Sequence, residues 1–284
     1  MSDAIKRIGV IGAGQMGAGI AQVSAMTGFE TKLFDTSEDA LRRGYKGIES
    51  QLNRLVEKEK ISAEKANDSL ARLSQVNGLK DFQDCDLIIE AIIENVEIKC
   101  DLFKELDTLI PENTIFASNT SSISITRLAA STTRPEKMIG MHFMNPVPVM
   151  KLVELIRGLQ TSDETYNTIC SVVEQMGKTS VLAVDMPGFI VNRILCPMIN
   201  EAIYLLQEGV KAEDIDNAMK LGTNQPMGPL TLADFVGLDT LLYILRILHR
   251  ELGEDKYRPC PLLVKYVEAG WYGRKSGRGF YSYS

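Results

Sequence analysis

Apolar residues gather into short runs through the first two thirds of the chain and into long helical stripes through the last third. Residues 5–11 (IKRIGVI) predict a buried strand, and Met16, Ile20, Val23 and Thr27 follow on one face of a helix. The run ETKLFD predicts a second strand, and residues 37–60 a long polar helix capped by Ser37 with acids in its first turn. A shorter helix over 62–72 and a weak strand over 73–76 come next. Three further strands (DLIIEAIIEN, ENTIFASNTSSISI and KMIGMH) alternate with helical patterns, as parallel strands with crossover helices do. After a turn broken by prolines, MKLVELI predicts a strand with Leu152, Glu154 and Ile156 on one face. A helix near 163–177 and the strand TSVLAV complete this part.

The segment DMPGF marks a boundary, where Pro187 suits a helix start, and the pattern beyond it is helical to the end. A helix over 188–208 is apolar on nearly every side and is expected at the centre of an all-α domain, with Asn192 in its first turn. The aromatic tail GWYGRKSGRGFYSYS is expected to pack back on the body, and His249 to be structural.

The first strand runs directly into Gly12, Ala13, Gly14, Gln15, Met16 and Gly17, a G-x-G-x-x-G match that opens a helix. Such glycines permit a tight turn and close approach of a pyrophosphate, which the helix N-terminus then binds. The next strand ends in Asp35, eighteen residues past Gly17, where an acid would bond the adenosine ribose and repel a 2′-phosphate. These features together predict NAD rather than NADP on a Rossmann-type doubly wound α/β sheet. The expected domains are 1–186, binding NAD, and 187–284, all-α.

Ligands of open α/β sheets bind at the carboxyl ends of the strands. Three successive strands deliver Glu94 and Lys99, then Asn119 to Ser122, then His142 and Asn145 to that edge. His142 is one of only two histidines, and Glu154 lies twelve positions on, between aliphatic neighbours. An isolated buried charge is expensive, so a His–carboxylate pair is one reading; a strand-end histidine with Glu154 in water is the other. On the 37–60 helix, Arg54 and Lys58 lie one turn apart and could hold a phosphate, although mixed charge there reads first as a solvated face.

At 284 residues the chain exceeds the usual single core, and its 45% hydrophobic and 24% charged content is ordinary for a globular protein. A net charge of −6 argues against a general nucleic-acid binder. Five scattered cysteines without a CxxC spacing suggest a reducing compartment and no metal cluster. With neither a secretion signal nor an apolar membrane span in the sequence, a cytoplasmic protein without membrane contact is expected.

The motifs GAGQMGAGIA, EAIIENVEIK, ASNTSS, HFMNPVPVMKLVE, PGFIVNR, MGPLTLADFVGLDT and GRKSGRGFY fall in the order and spacing of one family. Over essentially its whole length the chain resembles the L-3-hydroxyacyl-CoA dehydrogenases, and its short form is similar to the bacterial 3-hydroxybutyryl-CoA enzymes. The resemblance implies NAD-dependent interconversion of (S)-3-hydroxybutyryl-CoA and acetoacetyl-CoA, with His142 as catalytic base and Glu154 as its partner. It implies substrate contacts from Ser121 and Asn192, and cofactor contacts from Asp35, Glu94, Lys99, Ser121, Asn145 and Lys275. Lys58 matches a CoA-binding lysine, with Arg54 a turn away; the family's serine on that helix falls at Gln51 here, with Ser50 beside it. A homodimer through the C-terminal domain is also implied. Two alternatives remain open at this point. One is a dehydrogenase of a free hydroxy acid, using Arg127 or Arg193 for its carboxylate; the other is a catalytically silent NAD-binding protein.

Overall fold

The computed structural model describes residues 5–283 and divides between Asp185 and Met186 into two compact units. In the first, β1 (Arg7–Ile11), β2 (Glu30–Phe34), β3 (Leu73–Gln75), β4 (Leu87–Glu90), β5 (Ile115–Ser118), β6 (Met138–Phe143), β7 (Leu152–Arg157) and β8 (Thr179–Val184) form one sheet. Its spatial order is β3-β2-β1-β4-β5-β6-β7-β8. Neighbours from β3 to β6 pair in parallel, β7 runs antiparallel to β6, and β8 is parallel to β7. Every residue of β4, β5 and β6 is buried, as expected of central strands with helices on both faces of the sheet, and Glu90, Ser118 and His142 are their polar members.

The helices of this unit are α1 (Gln15–Met26), α2 (Glu38–Glu57), α3 (Ala63–Ala71), α4 (Val96–Leu109), α5 (Ile125–Ala129) and α6 (Asp163–Gln175). In α2 the buried positions Leu41, Gly44, Ile48 and Leu52 recur at helical spacing, and the Ser37 hydroxyl accepts from the Ala40 N–H at 3.2 Å as N-cap. A Cβ on Gly44 would stand 2.6 Å from the Ala13 carbonyl, so α2 lies directly on the glycine turn. Its outer residues are thereby held beside the carboxyl edge of the sheet.

The second unit contains α7 (Val191–Gln207), α8 (Ala212–Thr223), α9 (Pro229–Val236), α10 (Leu238–Leu252) and α11 (Pro261–Glu268). Its first helix departs from the sequence expectation in two ways. It starts at Val191, because Gly188 (φ +75°) and Phe189 (φ +47°) take left-handed backbone in a turn closed by the Phe189 N–H to Met186 carbonyl bond, so Pro187 belongs to the turn. It is also not buried all round: Cys196, Ile199 and Ile203 face the core, whereas Ile194 is 67% exposed. His249 has an acid nearby after all, with Asp255 at 3.8 Å.

The chain does not stay helical to its end. Gly273 pairs with Arg278, and Arg278 with Ser282, in short antiparallel bridges. Buried Asp234 accepts from the Phe280 and Tyr281 N–H groups and the Tyr283 hydroxyl, while buried Asp216 accepts from the Tyr281 hydroxyl. Those two carboxylates hold the tail against its unit, and Arg278 stacked on Trp271 at 3.7 Å ties the tail to itself.

Candidate active site

The turn after β1 is built for a close-approaching ligand. A Cβ on Gly17 would lie 1.8 Å from the Gly12 carbonyl, and one on Gly12 (φ +102°) 2.5 Å from the Ala91 carbonyl, so these two glycines are fixed by packing. At Gly14, the N-cap of α1, a Cβ would meet nothing within 4 Å, which leaves the mouth of the turn open. Asp35 accepts from the Ala13 N–H at 2.8 Å and the Ser37 N–H at 2.9 Å, which fixes its carboxylate beside the same turn. An open turn, uncapped helix N–H groups and a flanking acid fit a dinucleotide. Met16 instead packs against the hydrophobic core.

A closed ring of hydrogen bonds joins the ends of β4 and β5. Glu90 accepts from the Ile92 N–H and the Lys99 ammonium, each at 2.7 Å, and from the Ser118 hydroxyl at 2.6 Å. Ser118 accepts from the Thr120 N–H, and the Thr120 hydroxyl donates to Glu94 at 2.5 Å. Glu94 also takes the Ser121 N–H and the Ser122 hydroxyl, each at 3.0 Å, and Lys99 closes the ring with Glu94 at 3.0 Å. Burial pushes the Glu94 carboxyl up, but Lys99 and the hydroxyls of Thr120 and Ser122 outweigh it and hold it below the usual glutamate range. Lys99 is raised: burial disfavours its charge, and the two carboxylates more than compensate.

Within this ring the Lys99 side chain is 1% exposed and that of Glu94 22%. Glu90 is a residue that the sequence reading did not single out. Its signal was one charge inside the apolar run LIIEAII, which demands a buried partner.

At the end of β6, His142 stands opposite Glu154 of β7 in the antiparallel register, so both side chains project from one face. His142 Nδ1 lies 2.7 Å from Glu154 Oε2, with the carboxylate fully buried and the ring nearly so. Asn119 binds this strand to the ring above, accepting from the Phe143 N–H at 2.9 Å. Asn145, in the loop that follows, accepts from the Gln15 side chain at 3.0 Å and so links that loop to the glycine turn. Lys178 steadies the same loop, donating to the carbonyls of Val147 at 2.6 Å and Met150 at 2.7 Å.

Two grooves run between α2 and the loop after β6. One, of about 420 Å³, is lined by Gly14, Gln15, Arg43, Gln51, Asn145 and Val149. The other, of about 550 Å³, is lined by Gln51, Arg54, Lys58, Lys151 and Lys178. Gln51 lines both; Ser50 is exposed and lines neither. The first unit therefore gathers the glycine turn, Asp35, Glu94, Ser121, His142, Glu154 and Asn145 along one sheet edge, with the basic face of α2 beside it. Asn192 and Lys275 belong to the second unit, where Lys275 pairs with Asp239. Arg127 is exposed and lies 3.9 Å from Glu97.

Comparison with known proteins gives a consistent result. The sequence profile "3-hydroxyacyl-CoA dehydrogenase, NAD binding domain" matches residues 7–186, and that of the family's C-terminal domain matches residues 188–283. The 3-hydroxybutyryl-CoA dehydrogenase of Bradyrhizobium diazoefficiens is 56% identical over 100% of this chain and 97% of its own length. Human mitochondrial hydroxyacyl-coenzyme A dehydrogenase is 46% identical over 98% of this chain and 91% of its own. Among solved structures, (S)-3-hydroxybutyryl-CoA dehydrogenase from Ralstonia eutropha superposes with a TM-score of 0.95 at 49% identity, covering 99% of this chain and 100% of that one. With both family domains present in order and relatives this similar over their full length, the chain belongs to the 3-hydroxyacyl-CoA dehydrogenases, a family of NAD-dependent enzymes.

Proposed function

We propose that the enzyme interconverts (S)-3-hydroxybutyryl-CoA and acetoacetyl-CoA, with His142 and Glu154 as its proton-transfer pair. The observation that carries this reading is the 2.7 Å contact between a nearly buried imidazole and a fully buried carboxylate, on the sheet edge that also carries the dinucleotide turn. Glu154 fixes the imidazole tautomer with Nδ1–H toward the carboxylate and stabilises the imidazolium. Proton exchange with the substrate then falls to Nε2: it accepts the proton of the 3-hydroxyl on oxidation and returns it to the ketone on reduction. An NAD held at the glycine turn and Asp35 would supply the acceptor or donor of the hydride at C3. Ser121 would orient the reacting oxygen or the thioester carbonyl, and Asn192 matches a further substrate contact of the family. Glu94, Lys99 and Asn145 would help to hold the cofactor, Asp35 would bond its adenosine ribose, and Lys275 matches a further cofactor contact of the family.

The grooves beside α2 suit the nucleotide end of CoA, whose phosphates would meet Arg54 and Lys58, with Gln51 between the two. A free hydroxy acid would have no use for this basic groove. Domain 1–186 is thus the NAD-binding part and 187–284 the part for substrate and dimer formation. Exposed Ile194, Leu221, Phe235 and Tyr243 on the second unit support a homodimer, which light scattering would refute by giving the mass of one chain. Among the described residues no helix is long and apolar enough to cross a membrane.

The test of substrate and stereochemistry is NAD⁺ reduction with the two 3-hydroxybutyryl-CoA enantiomers. NADH should appear with the (S)-thioester and not with the (R)-thioester, and NADP⁺ should be a poor substitute because Asp35 opposes its 2′-phosphate. Equal rates with both enantiomers would sink the assignment.

A further inference from the structure

The ring joining β4 to β5 contains two carboxylates, Glu90 and Glu94, and one ammonium, Lys99. Both oxygens of Glu90 accept hydrogen bonds, from Ile92, Lys99 and Ser118, and Glu94 accepts from Thr120, Ser121 and Ser122 as well as Lys99. Every one of these contacts is made by a donor, the pattern that a carboxylate accepts. The ring therefore carries one net negative charge. Glu90 and Lys99 are 0% and 1% exposed, and Glu94, at 22%, is the most exposed of the three.

Its position matters. The glycine turn rests on Ala91, the residue after Glu90: the Ala91 N–H bonds the Ile11 carbonyl at 2.7 Å, and the Ala91 carbonyl closes off Gly12. Asp35 lies on the β2 side of β1, whereas the ring lies on the β4 side. A dinucleotide with its adenosine at Asp35 and its pyrophosphate at the start of α1 must extend its nicotinamide half toward the ring. The nicotinamide is positively charged when oxidised and neutral when reduced.

We infer that Glu90, by leaving the Glu90–Lys99–Glu94 ring one negative charge in excess, biases this site toward the oxidised cofactor. Lys99 alone would neutralise Glu94; Glu90 prevents that without touching the ligand. It is a positioning residue whose role is electrostatic, and the inference rests on the cofactor placement proposed above.

The experiment measures dissociation constants of NAD⁺ and NADH without acyl substrate, by fluorescence titration and competition, so that an error in the substrate assignment cannot affect it. Glu90→Gln makes the ring neutral and should weaken NAD⁺ relative to NADH by about threefold to tenfold, the effect of one nearby, partly screened charge. Glu90→Gln combined with Lys99→Met leaves Glu94 as the single charge and should return the ratio to that of the parent. Glu94→Gln, which neutralises the exposed member, should lower the ratio at least as far as Glu90→Gln. A ratio unmoved in Glu90→Gln and Glu94→Gln would overturn the inference. So would equal losses of both affinities, which would make Glu90 a purely structural anchor, or a double variant that follows Glu90→Gln.

Discussion

Replacing His142 with alanine is expected to reduce turnover by about 10²–10⁴-fold, the contribution of a positioned general acid or base, while NADH still binds. Cofactor affinity should survive because the glycine turn, Asp35 and the Glu94 ring are all held by bonds that do not involve the imidazole. Alanine leaves Glu154 fully buried opposite an empty position, so part of any loss could come from local disorder. His142→Gln is the control, since its amide can donate to Glu154 but cannot transfer the proton, and it should be as slow as the alanine variant. Glu154→Gln tests the other half of the pair: it should keep the strand pairing and lower turnover through the wrong tautomer and an unstabilised imidazolium. Steady-state rates beside NADH titrations check all three, and turnover within a few-fold of the parent in the histidine variants would remove His142 from the reaction.

The second large effect is on stability. Lys99→Met is expected to destabilise the fold by about 3–5 kcal/mol, because it strips the cation from a fully buried carboxylate, and denaturant unfolding measures it. The pH dependence gives a sharper signature. In the parent, the depressed Glu94 pKa contributes stability that is fully present above the ordinary glutamate value of about 4.3 and is lost as pH falls through its lower folded value. Lys99, raised in the folded protein, contributes stability present below the ordinary lysine value of about 10.4 and lost as pH rises through its higher folded value. Without Lys99 the two acidic groups face each other with no cation between them, so the variant should gain stability on acidification from neutral pH, where the parent gains none from this ring. A loss below about 1 kcal/mol, with the parent's pH dependence, would show that the ion pairs add little.

Much of this edge was legible because local rules and global fold agree there. A strand, a glycine turn, a helix and a strand ending in Asp35 need only short-range pattern, and the polar ends of three apolar strands define a crevice once the strands are parallel. What the residues alone left open about His142 and Glu154 was a matter of register: alternation gives the face of each strand, but only the antiparallel pairing of β6 with β7 sets position 142 opposite 154. Other features hinge on contacts between distant residues. Glu90 reads as a blemish in an apolar strand until Lys99 and Ser118 are brought to it. The start of α7 was misplaced because Pro187 suits both a helix start and a turn, and left-handed Gly188 and Phe189 decide for the turn. The tail lost its helical expectation to Asp216 and Asp234, which no periodicity reveals.

Reduction of a CoA thioester by NADH is measured most directly as loss of NADH absorbance with acetoacetyl-CoA, run beside free acetoacetate. The expected result is rapid oxidation with the thioester and almost none with the free acid, since the latter lacks every group that the grooves beside α2 would hold. Comparable rates with free acetoacetate would contradict CoA recognition, and no oxidation with either, while NADH still binds, would contradict the proposed reaction itself.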